Sequence, residues 1–241
     1  MTRDDRTDEV WVALGQVTDP EIDESVTGLE FVTRVEVEAG NRVSIEFRLP
    51  TYWCAPNFAF LMASDMRDVV EELPWVEQVS VELLDHFSAA LINRSVALKQ
   101  DFREAFPGET DGDLTQIRQT FLGKSYQRRQ ELLMRYLLRM RVDASWLIRA
   151  TWWDLKQLSL DKEGISLRDL YLFAWRRIHS SSDQDQLAFT TVDRGTLNLD
   201  ELKDYLRLIT GVRRTAEFNG LVCSSLLIAR KGNLPVPENI A

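Results

Sequence analysis

The sequence predicts an α+β domain, in which a small mixed sheet carries helices on one face, followed by an all-α helical domain. In the first third, apolar residues alternate with polar ones in three segments, whereas afterwards they recur at spacings of three and four. The charge changes at about the same place. Residues 1–90 carry 6 Lys and Arg against 19 Asp and Glu, and residues 91–241 carry 23 against 19. We therefore predict two domains, at residues 1–88 and 89–241.

Hydrophobic period and turn residues define the elements of the first domain. These are, in order, a helix (8–18), the two strands of a hairpin (31–38 and 43–49), an amphipathic helix (57–73) and a strand (76–84). The alternation in the first strand places Phe31, Thr33, Val35 and Val37 on the buried side.

The second domain is predicted to be a bundle of five or six helices. Its candidate segments are 88–106, 125–158 (one long helix or two joined ones) and 214–230, followed by a loose tail at 231–241. Two further helices are predicted to begin at capping signals, Ser166 with Asp169 and Asn198 with Glu201.

Composition points to a soluble cytoplasmic protein. The N-terminus is polar and acidic, unlike a signal peptide, and no apolar run reaches membrane-spanning length. Two cysteines far apart in sequence do not make a disulfide framework. The net charge of −9 argues against nucleic acid as a partner, because binding a phosphate backbone needs a basic surface.

A cysteine lies in the loop between the second predicted strand and the helix that follows, in the sequence RLPTYWCAPNFAF at 48–60. Pro56 suits the first turn of that helix, so Cys54 precedes the helix N-terminus. The positive end of the helix dipole favours a thiolate there, and a thiolate is both a nucleophile and a ligand for soft metals. The alternative is that Cys54 is a small buried apolar residue, as free cysteines often are.

The order of these features resembles the metal–sulfur cluster biosynthesis family, which includes phenylacetate-degradation protein D and the SUF-associated assembly factors. The resemblance covers about residues 8–86. It rests on a helix, DPEI at 19–22, GLEFV at 28–32, a hairpin, and then the cysteine loop, a helix and a strand.

The resemblance implies roles for four residues. Asp19 and Glu21 match the acidic pair of the family motif, Cys54 matches its functional cysteine, and Thr51 matches a threonine that often precedes that cysteine. Cys54 would then be a transient ligand of iron or of an iron–sulfur cluster, with Asp19 and Glu21 supporting it. The alternative for the acidic pair is a turn and a helix cap, since Asp-Pro favours turns.

A cluster held by this chain would be cargo and not a permanently bound cofactor. One thiolate cannot fill the four protein positions of an ordinary iron–sulfur cluster. The remaining ligands would come from carboxylates, from a second subunit in a homodimer, or from a client protein.

Other kinds of site find no support in the sequence. His86 and His179 are the only histidines, and no Glu-x-x-His pair of the di-iron type is present. His86 is predicted to lie at the surface or at a boundary, and Cys223, in an apolar run, in the core. A thiol enzyme built on Cys54 would need a base, and neither histidine is placed near it by the sequence.

The predicted helices at 118–149 are rich in arginine and form a candidate partner surface. The residues proposed to bind a partner are Arg128, Arg129, Arg135, Arg139, Trp152 and Trp153. The alternatives are a solvated face or a face docked on the acidic first domain.

From these observations we predict an accessory maturation factor and not an enzyme. It would assist the assembly or insertion of an iron or iron–sulfur centre in a client metalloenzyme. By analogy with the phenylacetate-degradation relatives, this client is a bacterial multicomponent di-iron monooxygenase. The alternative is a metal-free chaperone or adaptor that binds an oxygenase subunit and helps it to fold or assemble.

Overall fold

A three-stranded mixed sheet organises the N-terminal part of the chain. The structure, a computed structural model, describes residues 3–107, 114–179 and 185–232. The strands are β1 (Val32–Glu38), β2 (Arg42–Arg48) and β3 (Gln78–Leu84), in the order β1-β2-β3. β1 and β2 form the predicted antiparallel hairpin, and β3 lies parallel to β2.

Four helices accompany this sheet. They are α1 (Arg3–Leu14), α2 (Pro56–Glu71), α3 (Ala89–Ala97) and α4 (Phe102–Ala105). α2 joins the parallel strands β2 and β3, a connection that requires a crossover. Its apolar residues recur at helical spacing, and Met62, Met66 and Val70 are buried in the same core as Ile45 and Phe47 of β2. The predicted α+β fold class is confirmed.

The alternation of β1 is interrupted near its start. The pairing of β1 with β2 shifts register between Val32 and Arg34, as at a β-bulge. Val32 and Val37 are buried, whereas Thr33 is exposed. The prediction that Thr33 faces the core is therefore wrong, because strict alternation does not survive a bulge.

The segment 88–106 does not form the single helix predicted for it. α3 ends at Ala97, and Lys99 adopts a left-handed backbone conformation with φ 56°. Asp101 then begins α4 with a capping box, in which its carboxylate accepts from the N–H of Glu104. The helix predicted over 88–106 is thus divided in two, because the capping residue Asp101 starts a new helix inside the apolar run.

The rest of the chain is helical, as predicted. Its elements are α5 (Leu114–Arg139), α6 (Ala144–Leu147), α7 (Trp152–Gln157), α8 (Lys162–His179) and α9 (Leu202–Gly232). The segment 125–158 therefore contains parts of three helices and not one or two. No helix in the described part of the chain is both long and apolar enough to cross a membrane.

Two helix starts differ from the capping predictions. Ser166 lies inside α8, whose first turn is capped by Asp161 through the N–H of Gly164. Asn198 does contact Glu201, but the helix begins only at Leu202. α9 then continues through the separate helix predicted at 214–230. The predicted loose tail lies, from residue 233 onward, outside the described residues.

The chain divides into two compact units that differ from the predicted domains. The first unit comprises residues 1–116 and 218–241, and the second unit comprises residues 117–217. α3 and α4 belong to the first unit because Ile92, Val96 and Phe102 are buried in its core. The last turns of α9 belong to it as well, because Leu227 is buried in the same core.

Candidate functional site

Cys54 lies in the short loop between β2 and α2, as predicted. Its side chain is half-buried, and Sγ lies 3.1 Å from Oγ1 of Thr51, within hydrogen-bonding distance. α2 starts at Pro56, and its N-cap residue Ala55 makes no side-chain capping bond. The thiol thus precedes a helix start that carries no side-chain cap, with Thr51 as its hydrogen-bonding neighbour.

His86 holds this loop in place. Its Nδ1 accepts a hydrogen bond from the N–H of Ser88 at 3.1 Å, so Nε2 carries the proton and donates to the carbonyl of Cys54 at 2.7 Å. Burial lowers the pKa of His86, and the bond to Cys54 opposes this only in part. The prediction that His86 lies at the surface or a boundary is wrong, because the side chain is 5% exposed.

Asp19 organises the turn that contains the family motif. Its Oδ1 accepts from the N–H groups of Glu21 and Ile22, both at 2.9 Å. Burial raises the pKa of Asp19 above its ordinary value, although these two hydrogen bonds act in the opposite direction. Glu21 is exposed. Asp19 therefore stabilises a turn, which was the alternative role for the acidic pair, while the carboxylate of Glu21 is accessible to solvent.

A second cysteine, which no sequence pattern connects with the first, packs against the same core as the Cys54 loop. Cys223 of α9 is half-buried and packs against the same core as Cys54. Burial, and to a smaller extent the negative charges of Asp19, Cys54 and Glu21, raise the pKa of Cys223 to about 11. α9 thus brings a second thiol to the core on which the Cys54 loop packs.

Two contacts fix the last turns of α9 beside the loop. A Cβ built on Gly220 would lie 3.2 Å from Cγ2 of Ile22, in the Asp19 turn. The guanidinium of Arg230 donates to the carbonyls of Leu49 and Asp85, at 2.6 and 2.8 Å. Those carbonyls follow directly on the ends of β2 and β3, so Arg230 bridges the two parallel strands at the edge where the loop begins.

Three exposed aromatic side chains surround the cysteine loop. Tyr52 is 55% exposed, Trp53 is 74% exposed and Phe87 is 51% exposed. Tyr52 and Phe87 are tied together, since the N–H of Phe87 donates to the carbonyl of Tyr52 and their ring centroids lie 6.2 Å apart. Exposed aromatics of this kind are favoured in protein interfaces. We call these three residues the aromatic rim.

Residues 7–83 match the family model described as iron-sulfur cluster assembly protein. The match covers the N-terminal third and includes Asp19, Glu21, Thr51 and Cys54, which confirms the predicted resemblance for this part of the chain. It ends before His86 and Cys223. A comparison with curated proteins finds no match. An iron–sulfur assembly role is therefore supported for the segment that carries Cys54.

The described residues do not contain a preformed cage for a metal. No group of three or more His, Cys, Asp or Glu side chains there is arranged to hold a metal ion. Cys54 and Cys223 are the soft ligands that this part of the protein offers.

The predicted partner-binding residues lie in the second unit, and most of them have contacts within it. Arg129 donates to the carbonyl of Leu170 at 3.2 Å. Arg135 pairs with Glu131 and Arg139 with Glu163, each at 3.0 Å. The remaining three differ in exposure: Arg128 is half-buried, Trp152 is buried and Trp153 is 44% exposed. Their role in binding a partner stays a prediction, and Trp152 fills the core.

Glu131 anchors the arginine-rich part of the second unit. Its carboxylate is buried and accepts from Arg135, from the hydroxyl of Thr210 and from Arg213. A cavity of about 450 Å³ opens beside it, with Arg139 and Arg214 also on its wall. Arg135 and Arg213 are thus both held by one buried acid.

Proposed function

We propose that this protein is a non-enzymatic accessory factor that assembles or delivers an iron or iron–sulfur centre to a client metalloenzyme. The observation that carries the proposal is the position of Cys54. It lies within the segment that matches the iron–sulfur assembly family, in a loop held by His86 and bordered by exposed aromatic side chains. A thiol so placed can meet a client while the fold behind it stays rigid.

The chemistry required is reversible ligation. Cys54 supplies a thiolate, and Glu21 is an exposed carboxylate next to Ile22, which Gly220 of α9 contacts. Asp19 supports the site indirectly, because Oδ1 is occupied by the two backbone N–H groups of its own turn. With few ligands from this chain, the remaining positions on the metal are open to the client or to a second copy of the protein.

The client contact is proposed to begin at the aromatic rim. These rings lie around the thiol that carries the cargo, so binding there brings the client to the metal. The client class we propose is a bacterial multicomponent di-iron monooxygenase, by analogy with the phenylacetate-degradation members of the resembled family.

Anaerobic reconstitution tests the proposal. The wild-type chain and Cys54→Ser are incubated with ferrous iron and sulfide and desalted, and bound iron and sulfide are quantified. We expect the wild type to retain metal and the variant to lose most of it, with unchanged circular dichroism. Equal metal content in the two proteins would exclude Cys54 as the ligand.

A metal-free adaptor remains the second candidate, and the second unit favours it. Trp153 is exposed there, and four arginines line the cavity beside Glu131, which suits an acidic client surface. Activation of an apo-oxygenase that survives Cys54→Ser but is lost in Arg139→Glu would support the adaptor over the carrier.

A further inference from the structure

We infer that Cys54 and Cys223 form a two-thiolate site for a thiophilic metal ion. Nothing in the family match includes Cys223, which lies far outside residues 7–83. The inference deepens the carrier proposal and rests on it for the identity of the cargo, which is ferrous iron or one iron of a cluster. The pairing of the two thiols can be tested without any metal.

The placement of Cys223 follows from the face of α9 that packs on the first unit. Gly220, Cys223, Leu227 and Arg230 recur at spacings of three and four, so they lie along one side of the helix. Gly220 contacts the turn after Asp19, and Leu227 is buried in the core.

Arg230 binds the carbonyl of Leu49, two residues before Thr51. Cys223 lies about one helical turn after Gly220 and about two turns before Arg230, at a rise of about 1.5 Å per residue. Its position therefore lies between the Asp19 turn and the base of the Cys54 loop.

The charge around the two thiols favours a cation. Asp19 is buried and Glu21 is exposed in the turn that Gly220 contacts, one helical turn before Cys223. Arg230, on the same face of α9, donates hydrogen bonds to two backbone carbonyls and pairs with Asp85 at 3.5 Å. A divalent metal would offset the negative charge of these carboxylates and of the two thiolates.

Metal binding at this pair is a simple exchange of protons for metal. Two thiols and one divalent ion give two metal–sulfur bonds and release two protons, with no change of oxidation state. The ion would keep open positions, because this part of the chain provides no third preformed ligand. Exchange with a client can then proceed through those positions.

Phenylarsine oxide tests the pairing directly. Its arsenic(III) forms two As–S bonds with two adjacent thiols and releases water, and such a chelate resists a monothiol wash that removes arsenic from a single thiol. We expect the wild type to retain about one arsenic per chain after the wash, and Cys54→Ser and Cys223→Ser to retain none. Retention by either single variant equal to that of the wild type would overturn the pairing.

A matched variant controls for thiol number. Ser224 is exposed on α9 next to Cys223, and one residue turns the helix by about 100°. The double variant Cys223→Ser/Ser224→Cys keeps two thiols but moves one of them off the packed face. We expect no arsenic retention in it, and full retention would overturn the geometric assignment.

Cobalt(II), a spectroscopic substitute for ferrous iron, separates this inference from the carrier proposal. The sulfur-to-cobalt charge-transfer absorption of the wild type should fall to about half in each single variant and vanish when both cysteines are replaced. If Cys223→Ser keeps the full band and Cys54→Ser abolishes it, the two-thiolate site is wrong and the carrier function of Cys54 stands. If neither single substitution changes the band, both ideas fail.

Discussion

Asp19 combines a structural role with a predicted supporting role, and two substitutions separate them. Asp19→Ala removes the acceptor of two backbone N–H groups, and we expect the free energy of unfolding to fall by about 1–2 kcal/mol. Asp19→Asn keeps an oxygen acceptor and removes a buried charge. In urea unfolding at neutral pH, the Asp19→Asn variant should therefore be at least as stable as the wild type.

The same two variants show whether Asp19 only stabilises its turn or also binds the metal. If Asp19 acts only through the turn, Asp19→Asn should retain iron in the reconstitution assay at the level of the wild type. A variant that is stable but loses iron would show that the carboxylate contacts the metal.

Cys54 was predictable from the sequence, whereas its neighbours were not. The loop follows from a local change of hydrophobic period, and Thr51 and Pro56 lie within three residues of the thiol. His86 reaches the loop only through the parallel pairing of β2 with β3, and Cys223 reaches the same core only because the end of α9 packs on the first unit. No local pattern encodes such contacts, and Cys223 in an apolar run was assigned to the core on composition alone.

The packed face of α9 yields a prediction on neighbouring leucine and isoleucine residues. Leu227 is 7% exposed and lies in the core of the first unit, whereas Ile228 is 71% exposed. We expect Leu227→Ala to lower the free energy of unfolding by about 2–5 kcal/mol and Ile228→Ala to change it by less than about 0.5 kcal/mol. Chemical denaturation measures both, and equal effects would contradict the packing of α9 on this core.

The C-terminal end of α8 should make stability depend on pH. His179 is buried: Nδ1 donates to the carbonyl of Trp175 at 3.0 Å, and Nε2 accepts from the hydroxyl of Thr190 at 3.1 Å. Burial lowers the pKa of His179, so the unfolded chain binds the proton more readily than the folded one. The stabilisation is present above the unfolded pKa of about 6.5 and is lost as the pH falls through and below it.

The measurement compares unfolding at pH 7.5 and at pH 5.5 (about one unit on either side of that value). The wild type should lose more stability over this interval than His179→Gln, which has no group to protonate there. A parallel loss in both proteins would assign the pH dependence to other residues.

Element types were easier to predict than element boundaries. Period alone identified the hairpin, α2 and β3, because each buries one face against the same core. The break between α3 and α4 and the bulge in β1 depend on single residues, Lys99 with positive φ and the shifted pair near Val32. Such local exceptions leave the average hydrophobic period unchanged, so the period predicts one continuous helix or strand across them.

The net charge differs slightly more between the two compact units than between residues 1–90 and 91–241. Residues 1–116 and 218–241 carry 11 Lys and Arg against 25 Asp and Glu, and residues 117–217 carry 18 against 13. The first unit, which holds both cysteines, therefore has a net charge of −14, and the second has +5. An acidic surface around the thiols raises the local concentration of metal cations.

The first unit depends on a segment from the far end of the chain, and truncation tests this. A chain that ends at Glu217 keeps every residue of the family match but lacks Leu227 and Arg230. The loss of one buried leucine and of two charge-assisted hydrogen bonds should cost about 3 kcal/mol or more. Hydrogen exchange should accelerate at the ends of β2 and β3, whose following carbonyls Arg230 binds. A chain that ends at Gly232 is the control, and equal exchange in the two truncated chains would mean that residues 1–116 are stable without the end of α9.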